Sequence, residues 1–64
     1  MSYKPEVLVD GQWSQNSVVF ATEEEALTSA RDLMRRWMLV CDCRAVPSDE
    51  EVNYRLRDNA MEAV

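Results

Sequence analysis

The sequence contains no histidine and only one glycine in 64 residues. Without histidine, the chain lacks the commonest general base and the usual nucleophile–histidine arrangements. A single glycine cannot supply a glycine-rich phosphate-binding loop. Carboxylates remain at Glu23, Glu24, Glu25 and Asp32, but helix capping and solvation explain acids at these positions. We therefore expect no enzymatic activity, no catalytic residues and no cofactor.

Long apolar runs and basic segments are also missing. No run approaches the roughly 20 residues of a membrane-spanning helix, and the first ten residues lack the apolar core of a secretory signal. Seven cations stand against twelve acids, giving a net charge of −5. Because binding to phosphate backbones and anionic membranes depends on Lys and Arg, direct nucleic-acid or membrane binding is disfavoured. We expect a cytoplasmic protein with reduced thiols.

The two cysteines, Cys41 and Cys43, are separated by Asp42. Structural zinc sites take four ligands, usually with two or more residues between paired cysteines, so one chain has too few. Same-side neighbours on a strand also fit disulfide geometry poorly. Small buried apolar side chains account for both cysteines. A metal site that pools the cysteines of a dimer and redox chemistry are the alternatives, and we assign no metal ligand.

The first third of the chain predicts two strands. EVLVD, residues 6–10, alternates as a half-buried strand does. The hairpin could turn at Asp10-Gly11 or at Gln15-Asn16. We favour the second turn, because Trp13 then extends the first strand and Gly11 forms a bulge. The return strand is predicted at residues 18–20.

The next element is a helix from about Glu23 to Trp37. Thr22 and Glu25 have the spacing of a capping box, and acids in the first turn with Arg35 and Arg36 in the last suit the helix dipole. Apolar residues recur at three- and four-residue steps and predict a single buried stripe. The stripe comprises Ala26, Leu27, Ala30, Leu33, Met34, Trp37 and Met38.

From Leu39 the period of the pattern changes to two, which predicts a third strand that ends at Pro47. Leu39, Cys41, Cys43 and Ala45 share one side of this strand, and Val40, Asp42, Arg44 and Val46 share the other. Ser48 and Glu51 repeat the capping-box spacing. A short helix around residues 49–61 or a flexible tail is therefore expected after the strand.

Together these elements predict one small α+β domain with the order ββαβ. The expected sheet is antiparallel and three-stranded, with strand order 2-1-3, one packed helix on one face, and a short C-terminal helix or tail. We divide the chain into a ββαβ core, residues 1–47, and a C-terminal segment, residues 48–64. One helix covers one sheet face only, so the other face needs solvent, the C-terminal segment or another chain.

This open face makes protein binding the leading function. A core this small barely offsets the ordering entropy of the chain, which also favours a homodimer. Candidate surfaces are the open face with Trp13, the strand edges, which suit strand addition, and the segment NYRLR. Tyr and Arg are enriched in binding hot spots; a core or hairpin-clamp role for Trp13 and a solvated tail at NYRLR are the alternatives. The predicted protein-binding residues are Trp13, Asn53, Tyr54, Arg55 and Arg57.

Four motifs, EVLVDGQW, FATEEEA, DLMRRW and VNYRL, occur in this order between about Pro5 and Arg57. In these motifs the chain resembles a set of small uncharacterised proteins encoded in tailed-bacteriophage genomes. The resemblance implies an accessory protein made in an infected bacterial cell, with a host protein as its partner, and it implies no activity and no site residue.

Two other functions fit the same sequence. An acidic inhibitor could occupy a basic nucleic-acid-binding site on a host enzyme, in which case binding would weaken steeply with salt. A structural protein that self-assembles would form higher oligomers.

Overall fold

The computed structural model describes residues 1–58 and 60–64. It confirms a small α+β domain in which one helix packs on a three-stranded antiparallel sheet of order β2-β1-β3, and it adds a second, two-stranded sheet. The elements are β1 (Ser2–Val9), β2 (Gln12–Gln15), α1 (Glu23–Arg36), β3 (Val40–Ser48), β4 (Tyr54–Arg57) and β5 (Ala60–Ala63).

The first hairpin turns at Asp10-Gly11, so the favoured turn at Gln15-Asn16 is wrong. Val9 pairs with Gln12 across a two-residue loop. Asp10 and Gly11 have φ values of 50° and 77°. Positive φ at both central positions is the conformation whose twist matches a two-residue hairpin, and Asp-Gly is a preferred sequence for it. Gly11 is therefore part of the turn rather than a bulge.

Residues 18–20 form no strand, which corrects the predicted return strand. Only Phe20 pairs with β1, exchanging two backbone hydrogen bonds of 2.8 Å with Tyr3. The backbone N–H and C=O of Tyr3 point toward Phe20. Because the direction of these groups alternates along a strand, the backbone N and C=O of Pro5, two residues on, point the same way. Pro5 thus lies in the gap between the Glu6–Gln15 pair and the Tyr3–Phe20 bridge, where a residue without an N–H leaves no hydrogen bond unmade.

The helix is confirmed. Its N-cap is Thr22, whose hydroxyl accepts a hydrogen bond from the Glu25 N–H at 3.2 Å and donates one to the Glu25 carboxylate at 2.9 Å. At the other end Trp37 has extended φ and ψ and donates its N–H to Leu33 at 2.9 Å. A non-glycine end therefore lets the chain turn directly toward β3.

A β-bulge in β3 changes which of its side chains face the helix. Leu8 pairs with Asp42 and Val9 with Val40, so Cys41 has no partner residue. The extra residue reverses the alternation at that point. Val40 is buried and Cys43 and Ala45 contact the core, whereas Leu39 and Cys41 are exposed. The predictions that Leu39 and Cys41 share a side with Cys43 and Ala45, and that Cys41 is buried, are therefore wrong.

Pro47 does not end β3, which continues to Ser48. Pro47 pairs with Tyr3, whose backbone hydrogen bonds go to Phe20 on the other side. The missing N–H of Pro47 therefore points away from the sheet, as expected for proline on an edge strand.

Two clusters form the core between α1 and the sheet. The first contains Val7, Ala30 and Val40, and the second contains Val18, Phe20 and Ala26. Partly buried side chains pack against them, namely Val9, Leu33 and Cys43 in the first cluster and Tyr3, Ala45, Tyr54 and Leu56 in the second. The helical stripe is only partly buried: Leu27 is half-buried, and Met34, Trp37 and Met38 are exposed.

The C-terminal segment forms a hairpin of β4 and β5 rather than the expected helix or tail. Tyr54 and Leu56 point toward the second core cluster, while Arg55 and Arg57 alternate with them and are exposed. The alternation of buried and exposed residues favours a strand here, despite the helix-capping pattern at Ser48, because burying Tyr54 and Leu56 stabilises the strand. Asn59 lies outside the described residues.

The sheet face opposite α1 is covered at one end by the chain itself. The Ser2 hydroxyl donates to the carbonyl of Glu50 at 2.6 Å, and Lys4 forms an ion pair with the Glu50 carboxylate at 2.8 Å. Lys4 is almost fully buried. The expectation of an open face therefore holds only for the end that carries Leu8 and Trp13, both of which are half-buried.

Candidate functional site

The structure does not bring the five predicted site residues together. Trp13 lies on β2, where Arg44 of β3 stacks over its ring with 3.9 Å between Cζ and the ring centroid. Arg44 is also ion-paired with Glu6, and Gln15 donates to the Glu6 carboxylate at 2.7 Å. The Trp13 ring therefore packs against a network of polar side chains on this sheet face. Only the part of the ring that remains exposed is available for the predicted binding role.

Asn53 acts as a bracket between two segments of the chain. Its side-chain oxygen accepts a hydrogen bond from the Val19 N–H at 2.7 Å, and its side-chain amide donates to the Ser17 carbonyl at 2.7 Å. The backbone N–H groups of Asn53 and Tyr54 both donate to the Val19 carbonyl at 3.1 Å. These contacts occupy the polar groups of Asn53, so the structure favours a structural role for it.

The other three residues separate by strand alternation. Tyr54 packs against the second core cluster. Arg55 is paired with Glu62 across the hairpin, with its Nε donating at 3.1 Å. Arg57 is exposed and forms no ion pair within the part of the chain that the structure describes. Arg57 is thus the member of the NYRLR segment whose charged group is left for a partner.

The outer edge of β3 is poorly suited to strand addition. Its even-numbered residues bond to β1, so Cys43, Ala45 and Pro47 point their backbones outward. The N–H of Cys43 donates to the Asp42 side chain at 2.8 Å, and Pro47 has no N–H. Ala45 alone offers a donor, and the bulge at Cys41 interrupts the edge beyond it. Bulges and prolines are devices that protect edge strands from pairing.

A projecting apolar tip lies where α1 ends and the chain enters β3. We define the apolar tip as Met34, Trp37, Met38 and Leu39, whose exposed fractions are 39, 45, 97 and 59%. The Val40 N–H donates to the Trp37 carbonyl at 3.1 Å, which closes a tight turn and directs residues 38 and 39 outward. Sequence reasoning placed Met34 and Trp37 on the buried stripe, because it extended that stripe to the last turn of the helix; both are exposed.

A cleft of about 540 Å³ separates α1 from the β4–β5 hairpin. Three arginines of α1 line it together with one acid, Asp32. Asp32 accepts hydrogen bonds from Arg35, at 2.8 Å, and from Arg36. These bonds, that of Arg35 first and that of Arg36 second, lower the pKa of the Asp32 carboxyl below its usual value of 3.8. Sequence reasoning interpreted Arg35 and Arg36 only as dipole partners and gave Arg31 no role; the four-residue spacings Arg31–Arg35 and Asp32–Arg36 already placed these side chains on one helix side.

The remaining chemical groups have local partners. Glu25 accepts the Leu56 N–H at 3.0 Å besides its capping bonds, and it thereby ties the hairpin to the helix. Glu23 and Glu24 are exposed in the first turn. Cys41 and Cys43 are free thiols, exposed and half-buried respectively. Over residues 1–58 and 60–64, no three His, Cys, Asp or Glu side chains are grouped to hold a metal ion.

No protein-family model, curated protein or solved structure matches the chain. In the described part of the chain, no helix has the length and apolar character needed to cross a membrane. The apolar tip and the cleft are therefore the two surfaces from which a function can be argued.

Proposed function

We propose that the chain is a non-catalytic accessory protein that binds another protein through the apolar tip. The observation that carries this proposal is the exposure of four large apolar side chains side by side in a domain of 64 residues. Clustered exposed apolar groups mark interaction sites, whereas single ones are ordinary. The resemblance to bacteriophage proteins supports a role in the cytoplasm of an infected bacterial cell, with a host protein as partner.

The side chains of the apolar tip have the chemistry of a binding hot spot. Trp is among the residues that contribute most to interface energies. Met is flexible and polarisable and adapts to irregular pockets. The backbone of Trp37 is held by its N–H bond to the Leu33 carbonyl, while Met38 projects almost fully into solvent. A half-exposed indole beside an adaptable thioether favours insertion into a pocket of the partner.

A partner protein is a better occupant than a second copy. Taking about 200 Å² for a large side chain, the four exposed fractions amount to roughly 500 Å², the size of a small transient contact and well below the about 1,000 Å² per subunit of an obligate homodimer. A projecting tip is also a poor match to itself.

The test compares the tagged wild type with two variants. The tip variant carries both Met38→Ser and Leu39→Ser, and the control variant carries Val64→Ser. Val64 is exposed and lies outside the tip, so the control makes an apolar-to-serine change away from the surface under test. A protein captured from host lysate is identified by mass spectrometry, purified and titrated. We expect the tip variant to raise Kd about tenfold or more and the control to leave it within about twofold.

Three results would overturn the assignment. Equal Kd values for wild type and the tip variant would exclude the tip as the contact. Binding that disappears in high salt would favour the acidic inhibitor, since apolar docking is only weakly screened. A wild-type dimer that the tip variant dissociates, seen by sedimentation, would identify a second copy as the occupant.

A further inference from the structure

The cleft between α1 and the β4–β5 hairpin carries a charge opposite to that of the rest of the molecule. Its lining contains three arginines and one aspartate, a net +2, within a chain of net −5. The remainder of the chain therefore carries −7. The lining residues are Asn16, Thr28, Ser29, Arg31, Asp32, Leu33, Arg35, Arg36, Leu56, Ala60 and Met61.

The arginines of the cleft differ in how they are held. Asp32 binds both Arg35 and Arg36, which fixes their guanidinium groups while about three quarters of each side chain stays exposed. Arg31 is exposed and has no ion pair in the described part of the chain. Each planar guanidinium has further N–H donors in a fork that fits a carboxylate. The cleft thus presents one uncommitted and two pre-positioned arginines.

The floor of the cleft is apolar. Leu33 of α1 and Leu56 of β4 are half-buried, and Met61 of β5 is exposed by nearly half. The bond from the Leu56 N–H to the Glu25 carboxylate holds the hairpin at a fixed distance from the helix. A rigid cleft with an apolar floor and cationic walls binds a chain that carries both apolar and acidic groups.

We propose that this cleft binds an extended acidic peptide segment, about four residues long, with an apolar side chain on the floor and carboxylates at Arg31, Arg35 and Arg36. The cleft runs along α1 from Thr28 to Arg36, about 12 Å of helix, which matches about four extended residues. None of the residues that line the cleft belongs to the apolar tip, so this proposal can be correct or wrong independently of the proposed function.

A short peptide suits the cleft better than a nucleic acid. Affinity for a phosphate backbone requires many neutralising contacts along its length, and the −7 outside the cleft would repel a long polyanion. A peptide of four residues contacts the cleft alone. A small inorganic anion would fill only part of the length of the cleft and would leave its apolar floor uncovered.

The test is fluorescence anisotropy with a labelled acidic peptide, acetyl-Glu-Leu-Asp-Glu-amide, and its neutral counterpart, acetyl-Gln-Leu-Asn-Gln-amide. The full-length wild type is compared with Arg31→Gln, Arg35→Gln and the control Arg57→Gln. Arg57 is an exposed arginine outside the cleft lining, so its change in net charge is the same. Circular dichroism checks that each variant keeps its fold.

We expect the acidic peptide to bind and the neutral peptide not to bind. Each cleft variant should weaken binding about threefold or more, the size expected for an exposed ion pair, while Arg57→Gln stays within about twofold. Equal weakening of peptide binding by all three variants would show that only the net charge of the protein matters, which would contradict the proposed site. Absence of binding by the acidic peptide would also overturn it, and full displacement by millimolar inorganic phosphate would replace the peptide with a small anion.

Discussion

Arg44 lies over the ring of Trp13, 3.9 Å from its centroid, although the two residues are on strands that do not touch. Trp13 is on β2 and Arg44 on β3, with β1 between them. The Arg44 guanidinium reaches the Glu6 carboxylate of β1 as well. One side chain therefore spans the width of the sheet, and it does so on the face that α1 leaves uncovered.

Replacing Arg44 by Ala should lower the free energy of unfolding by about 1–3 kcal/mol, because the mostly buried Glu6 carboxylate loses its charged partner and keeps only Gln15. Urea unfolding followed by tryptophan fluorescence measures the change. Arg57→Ala, at an exposed position, should change stability by less than about 0.5 kcal/mol. Equal losses in the two variants would show that the Arg44 network contributes nothing specific.

Replacing Asn53 by Ala should also destabilise the fold, by about 1–3 kcal/mol, since the N–H of the fully buried Val19 loses its acceptor. Asn53→Asp keeps that acceptor, but it replaces the amide donor to Ser17 with an oxygen that repels the Ser17 carbonyl; because this second contact is exposed, the loss should still be smaller. Thermal unfolding of the three proteins ranks them. A variant with wild-type stability and weakened partner binding would instead restore the predicted recognition role of Asn53.

The helix could be predicted from the sequence because its signals are local. The Thr22 cap, the acidic first turn and the three- and four-residue periodicity all lie within the element itself. The sheet order β2-β1-β3 also followed from simple connection rules, although the second strand proved to be residues 12–15 rather than 18–20. Short-range patterns thus determined the architecture more reliably than they determined strand identity.

The remaining features depend on contacts between distant residues. The bulge at Cys41 is not marked by a glycine in the sequence, and it appears only in the pairing of β3 with β1, shortly after the helix ends at Trp37. The hairpin of β4 and β5 forms against Phe20 and Ala26, about thirty residues earlier in the chain. The cleft requires that hairpin, so sequence reasoning that expected a helix or tail could not place its arginines.

The Asp32 carboxylate should make stability depend on acid pH. Arg35, and after it Arg36, lower the pKa of Asp32 in the folded chain below 3.8, so folding stabilises the charged form. This contribution is present above pH 3.8 and is lost as the pH falls through the lower pKa of the folded state. Melting temperatures of wild type and Asp32→Asn should differ at pH 7 and converge as the pH falls below 3.8. A difference that persists unchanged at pH 2 would contradict the assignment.

Removing the protection of the β3 edge should promote self-association. Asp42→Ala frees the Cys43 N–H, and Pro47→Val adds an N–H that points outward, so the double variant offers three consecutive donors where the wild type has only that of Ala45. Unpaired donors on a flat edge pair with another chain. Sedimentation at increasing concentration should show association that rises from the single variants to the double variant.

The matched control for this edge experiment is Asp49→Ala combined with Pro47→Val. It makes the same change in net charge as the double variant, because Asp49 is an exposed acid, but it leaves the Cys43 N–H bonded to Asp42. If the control associates more weakly than the double variant, the freed Cys43 N–H, and not reduced charge repulsion, promotes the association. A double variant that stays monomeric at the highest concentration would show that the bulge at Cys41 alone protects the edge, since the bulge is the one protective feature that both substitutions leave in place.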